Sequence, residues 1–128
     1  MSPLTSSQAT ELSRQFFSIG RSLASFREHH WDSISRDQHQ QLGKMQWSIY
    51  NYADDLLALS AVISLSEAED TLSKIAHITR EVTAYIAQEQ DINNVINIAA
   101  RVVVLGGAVL SQSPLAVVST LAELAAAL

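Results

Sequence analysis

The chain has 128 residues, no cysteine, 48% hydrophobic and 16% charged residues, and a formal net charge of −5. That is one domain of ordinary size, long enough to bury a core without disulfides or a structural metal, and too apolar for global disorder. Four glycines and two prolines are too few for the turns of an all-β sandwich, and 8 Lys+Arg against 13 Asp+Glu leave no basic footprint for nucleic acid.

Helical periodicity dominates from the start. Leu12, Phe16, Ile19, Leu23 and Phe26 follow alternating spacings of four and three, the signature of one buried helix face. Thr5 and Gln8 form a capping-box pair, so the first helix is predicted over about 6–31. Leu42, Met45, Ile49, Tyr52, Leu56, Leu59 and Ile63 carry the same spacing, and Ser35 with Gln38 is a second capping box. This second helix is predicted over about 36–64. A neighbouring stripe of Trp47, Tyr50, Asp54, Leu57 and Ala61 implies contact with two partners, and therefore a bundle. Gly43 inside it costs about 1 kcal/mol against alanine.

Ser66-Glu67-Ala68-Glu69 loads acidic residues where a helix dipole favours them and starts a third helix, about 66–90, burying Leu72, Ile75, Ile78, Val82 and Tyr85 or Ile86. Asp91, with Asn94 three residues on, is an N-cap for a fourth, about 92–111. No Gly or Pro separates Glu89 from Asn93, so the third and fourth helices are either separate or one kinked helix. Asn93, Asn97 and Arg101 make a narrow polar stripe. Beyond Arg101 the helix is apolar all round through Leu110, which suits a central helix or one covered from outside. Ser113-Pro114 restarts the chain for a fifth helix, about 114–127. The fold class is therefore all-α, an antiparallel bundle of four to five helices in a single domain spanning 1–128.

Charge is uneven. Residues 65–91 carry a net −4, whereas residues 102–128 contain Glu123 as their one charged side chain. Ser111-Gln112-Ser113-Pro114 divides that apolar end into pieces too short for a conventional membrane anchor. The N-terminal residues have neither a basic nor an apolar signal region, which reads as cytoplasmic, and the apolar ending suits a chain cut from a longer one.

Chemistry-bearing motifs are sparse. His29 and His30 are adjacent at a helix end and point about 100° apart, which fits bonding to the last carbonyls better than a metal. His77 and Glu81 share a face and read as a side-chain hydrogen bond. Neither Glu28 nor Glu81 is followed three residues later by a histidine, as a di-metal bundle requires. Asp54 falls on the second apolar stripe beside Trp47 and Tyr50. It reads as a partly buried structural carboxylate paired with Arg14, Arg21 or Lys74, ahead of a catalytic acid. Trp47, Tyr50 and Tyr52 occupy stripe positions and read as core. Gly106-Gly107, lacking a phosphate-binding Lys or Ser/Thr, reads as a close helix contact or a bend. No catalytic, cofactor or small-molecule site is expected, so the chain is read as a non-enzyme.

Two function classes remain. In the first, a non-catalytic bundle self-associates or binds a protein through the apolar C-terminal hairpin, with Val103, Leu105, Val109, Leu110, Leu115, Val118, Leu121 and Leu124 as interface residues. An aspartate at Val103 or Leu110 is then expected to disrupt folding or assembly. In the second, the end is membrane-active. Long amphipathic helices followed by a Gly-containing apolar helix pair are similar in style to α-helical pore-forming toxins, a likeness of architecture over the last quarter that rests on no residue motif. The absence of Trp and Tyr from that end speaks against an interfacial belt.

Overall fold

A computed structural model describes residues 3–59, 63 and 68–128. It contains α1 (Ser6–His29), a 3-10 turn (Trp31–Ser33), α2 (Arg36–Ala58), α3 (Ala68–Gln88), α4 (Ile92–Leu110) and α5 (Pro114–Ala127). The all-α bundle is present as expected. Both capping boxes form reciprocally. Thr5 Oγ1 accepts from the Gln8 amide at 3.1 Å while Gln8 Oε1 accepts from the Thr5 amide at 3.0 Å. Ser35 and Gln38 repeat the exchange at 3.1 and 2.9 Å.

The ends of α1 and α2 fall short of the sequence reading, each for a local reason. α1 stops at His29 because the His30 amide and the two imidazoles take its last carbonyls. His29 Nδ1 lies 2.8 Å from the Ser25 carbonyl and His30 Nδ1 3.0 Å from that of Phe26. Those contacts require the proton on Nδ1 in both rings. α2 ends at Ala58, with the Leu59 amide closing on the Asp55 carbonyl. Leu59 is therefore exposed, whereas Ile63 is buried and its carbonyl accepts from the Leu4 amide at 2.9 Å. The rest of the expected end of α2, and the Ser66-Glu67 start of α3, lie outside the described residues.

The third and fourth helices are separate, and a carboxylate divides them. Glu89 Oε1 accepts from the Gln90 and Asp91 amides at 2.9 and 3.0 Å, bonds that replace the helical ladder. Asp91 then caps α4 by accepting from the Asn93 amide at 2.9 Å, while Asn94 reaches back to Glu89 instead of completing a box. The backbone bond from Asp91, then the Tyr85 hydroxyl and the Gln90 amide, hold the Glu89 carboxyl below the usual carboxylate range. Partial burial and this same carboxylate push the Tyr85 hydroxyl up. A depressed folded-state pKa contributes stability above the ordinary carboxylate range and loses it as pH falls through the folded value. Glu89→Gln is therefore expected to flatten the acid limb of stability against pH, measured by urea unfolding from neutral to acidic buffer. An unchanged acid limb would show that this joint does not titrate.

Consecutive helices alternate in direction, but their order around the core is α1–α2–α4–α5–α3 and back to α1. The α3–α5 seam is the least closely packed. α2 and α4 consequently run side by side in the same direction. Gln38 Nε2 donates to Asn93 Oδ1 at 3.2 Å near their starts, and Tyr52 meets Gly106 further along. The core inside this ring includes Phe16, Leu23, Ile49, Leu56, Ile75, Val82, Ile98 and Leu105.

Of the two readings of α4, a central helix or one covered from outside, the first does not hold. Val95, Ile98, Ala99, Val102, Leu105 and Val109 face the core, while Asn93, Asn97, Ala100 and Val104 form an outward stripe. Arg101, half-buried, reaches Glu123 of α5 at 3.6 Å, tying the hairpin antiparallel.

α4 ends in a Schellman motif. The Gln112 amide bonds the Val109 carbonyl at 3.1 Å and the Ser113 amide that of Ala108 at 3.3 Å, with Gln112 at φ 58°. That left-handed position favours glycine, and a residue with a Cβ costs roughly 1–2 kcal/mol there. Gln112→Gly is expected to raise stability by about 1 kcal/mol, read as an upward shift of the urea midpoint. A drop would show that the Gln112 side chain outweighs the strain.

Candidate functional site

The eight apolar residues singled out at the C-terminal end separate into three groups. Leu105, Val109, Leu121 and Leu124 belong to the monomer's own core and are unavailable to a partner. The reason is periodicity: they fall on the α4 and α5 faces turned toward the ring. Val103 and Leu110 are half-buried against that core. Leu115 and Val118 remain outside, 85% and 62% exposed.

Leu115 and Val118 lie on one α5 face with Ala122 and Ala125, at spacings of three, four and three, and all four are exposed. This stripe borders the loose α3–α5 seam, where a cleft of about 530 Å³ is walled by Val118, Leu121, Ala122 and Ala125 on one side. Ser73, Lys74, His77 and Arg80 form its other wall, with Ile78. Lys74 pairs with Asp70 at 3.1 Å and His77 with Glu81 at 3.1 Å, so those charges are satisfied within α3. The His77–Glu81 contact is the side-chain pairing the spacing predicts.

A second surface lies across the ring, on α1 and α2. Gly20 and Gly106 admit two tyrosine rings: Tyr50 rests on Gly20 and Tyr52 on Gly106, with Tyr52 edge-on to Phe16 at 6.4 Å. Tyr52 is thus half-buried against the core, not part of its buried interior, and Gly106 of the glycine pair of α4 serves close helix contact. Trp47 is not core. It is 69% exposed, because it shares the outer α2 face with Gln40, Lys44 and Ser48. The polar residues at 40, 44 and 48 were the signal that places 47 outside; aromatic identity alone misassigned it.

Asp54 is also exposed, as is Leu57, so the second stripe of α2 is buried only in part at Tyr50. Arg14 pairs with Glu11 at 3.5 Å and Lys74 with Asp70, and among the described residues Asp54 has no ion pair. Ala61 lies outside the described residues. The exposed carboxylate is therefore not the partly buried, paired group that its stripe position suggests. Asp54→Asn is expected to leave stability within about 0.5 kcal/mol of the parent in urea unfolding.

Among the described residues no group of three His, Cys, Asp or Glu side chains is placed to hold a metal. α4 is long and apolar enough to cross a membrane by length and composition, although its buried stripe belongs to the bundle core. The sequence matches no known family model, no curated protein and no solved structure.

Proposed function

We propose that this is a non-catalytic helical bundle that self-associates through the outer face of α5. The observation that carries this reading is the order of side-chain sizes along the exposed stripe: Leu115 and Val118 are large, Ala122 and Ala125 small. Two copies of α5 running antiparallel about a twofold axis midway between Val118 and Ala122 set Leu115 opposite Ala125 and Val118 opposite Ala122. Every knob then meets a hole, and the surface complements itself, as an isologous interface requires. Antiparallel pairing also aligns the two helix dipoles favourably. The stripe carries no charge, so pairing desolvates no ion.

The test is light scattering behind a sizing column over a wide concentration range, with the parent and Val118→Asp. The parent is expected to run as a dimer and the variant as a monomer with unchanged helical circular dichroism. A parent that stays monomeric throughout ends this reading. The other reading, in which the α4–α5 hairpin enters lipid, draws support from the length and hydropathy of α4. Dye release from vesicles by the monomer would favour it.

A further inference from the structure

Both tryptophans of the chain stand out of one face, on the side of the ring away from α5. Trp31, in the 3-10 turn, is 57% exposed. Its indole lies on the imidazole of His39, with ring centroids 4.1 Å apart. Trp47 follows His39 by two turns of α2, about 12 Å along the helix. Trp47 and His39 line an open trough of about 870 Å³ with Gly43 in its wall and three cations around it, Arg27, Arg36 and Lys44.

Among the described residues none of these cations has an ion-pair partner. Arg27 donates to Gln46 Oε1 at 3.0 Å and holds its guanidinium 6.0 Å from the Trp31 ring centroid. Glu28, Asp32 and Asp37 are the acidic residues nearest in sequence, and none of them lines the trough or bridges to its cations. Phe17, exposed, extends the aromatic row through Tyr50 at 5.1 Å, with Arg21 lining the neighbouring cleft.

An exposed indole is best placed at the boundary of water and hydrocarbon, where its ring is sheltered and its N–H stays wet. Arginine and lysine beside it can lay their stems on apolar surface and keep their charges in a phosphate layer. The trough is too open to enclose a small ligand, and its rings are spread along a face rather than convergent on one pocket. A flat anionic surface matches that spread.

We propose that the α1–α2 face docks peripherally on anionic lipid bilayers, with Trp31 and Trp47 at headgroup level and Arg27, Arg36 and Lys44 on the lipid phosphates. This docking is independent of α5, and Val118→Asp leaves it unchanged.

Because the chain has two tryptophans and both are on this face, its emission reports docking directly. The protein is mixed with vesicles of phosphatidylcholine alone, or with one-third phosphatidylserine, and followed by emission wavelength and co-flotation. The expected result is a blue shift and flotation with the anionic vesicles only, reversed by high salt. The double variant Arg36→Glu, Lys44→Glu is expected to bind about tenfold more weakly or less, at unchanged circular dichroism, because each cation adds independently to surface attraction. No shift with anionic vesicles, or equal binding to neutral ones, overturns the proposal. So does a shift on raising protein concentration without vesicles, which would make the occupant a second copy. Stronger binding to a single-stranded oligonucleotide than to vesicles would overturn it in favour of nucleic acid.

Discussion

Gly106→Ala is expected to lower the unfolding free energy by about 2 kcal/mol, the scale of overpacking a filled core. A methyl at Gly106 would meet the ring of Tyr52, with Cε2 at 2.7 Å and Cγ at 2.9 Å. Tyr52 packs edge-on to Phe16, which is fully buried, so its ring makes room only by disturbing that contact. The loss comes in spite of the roughly 1 kcal/mol by which alanine exceeds glycine in helix propensity. Two other glycines calibrate it. At Gly43 the added methyl would sit 3.5 Å from the Arg27 guanidinium, an ordinary contact, so Gly43→Ala is expected to gain about 1 kcal/mol. At Gly20 the methyl meets Tyr50, which leans on exposed Phe17 and can swing outward, so the loss is smaller than at Gly106. Urea midpoints rank the three. If Gly106→Ala is as stable as the parent, α2 and α4 are not in the contact described.

The second large effect separates two valines of one helix. Val102 is fully buried, and Val102→Asp places an unpaired carboxylate in the core, at a cost of several kcal/mol that the bundle cannot absorb. Val104, two residues on, is 58% exposed, and Val104→Asp is expected to change stability by no more than about 0.5 kcal/mol. Val103 and Leu110, the half-buried positions that composition nominates for the most severe effect, fall between these limits. Circular dichroism of the purified variants decides. Equal loss at 102 and 104 would mean that α4 is covered all round, as its composition implies.

That contrast shows where the sequence is informative and where it is silent. Alternating three- and four-residue spacing locates α1 and α2 and their capping boxes because those interactions are local: cap and capped amide lie three residues apart. α5, bounded by Ser113-Pro114, has the limits its sequence predicts, 114–127, for the same reason. The division between α3 and α4 is also local, but it depends on which of several acceptors the Gln90 and Asp91 amides choose. Glu89 wins that competition without any Gly or Pro to announce it. The left-handed turn at Gln112 is hidden likewise, since the residue there is not the usual glycine.

Periodicity names a face but not its neighbour. On α2 the two neighbouring stripes imply two contacts, and the ring order decides which side chains make them. Phe16 and Gly106 receive Tyr52, while among the described residues Trp47 is left largely uncovered. On α4 and α5 nearly every residue is apolar, so spacing carries no contrast, and only packing reveals that Leu105, Val109, Leu121 and Leu124 turn inward. The sequence thus selected the helical fold, a bundle of four to five helices and the apolar C-terminal quarter. The tertiary structure selected which side chains are left for contact: Leu115 and Val118 on α5, and Trp31 and Trp47 on the opposite side. The physical reason is that a helix can bury only the face its neighbours reach, and the order of helices around the core is not written in any one of them.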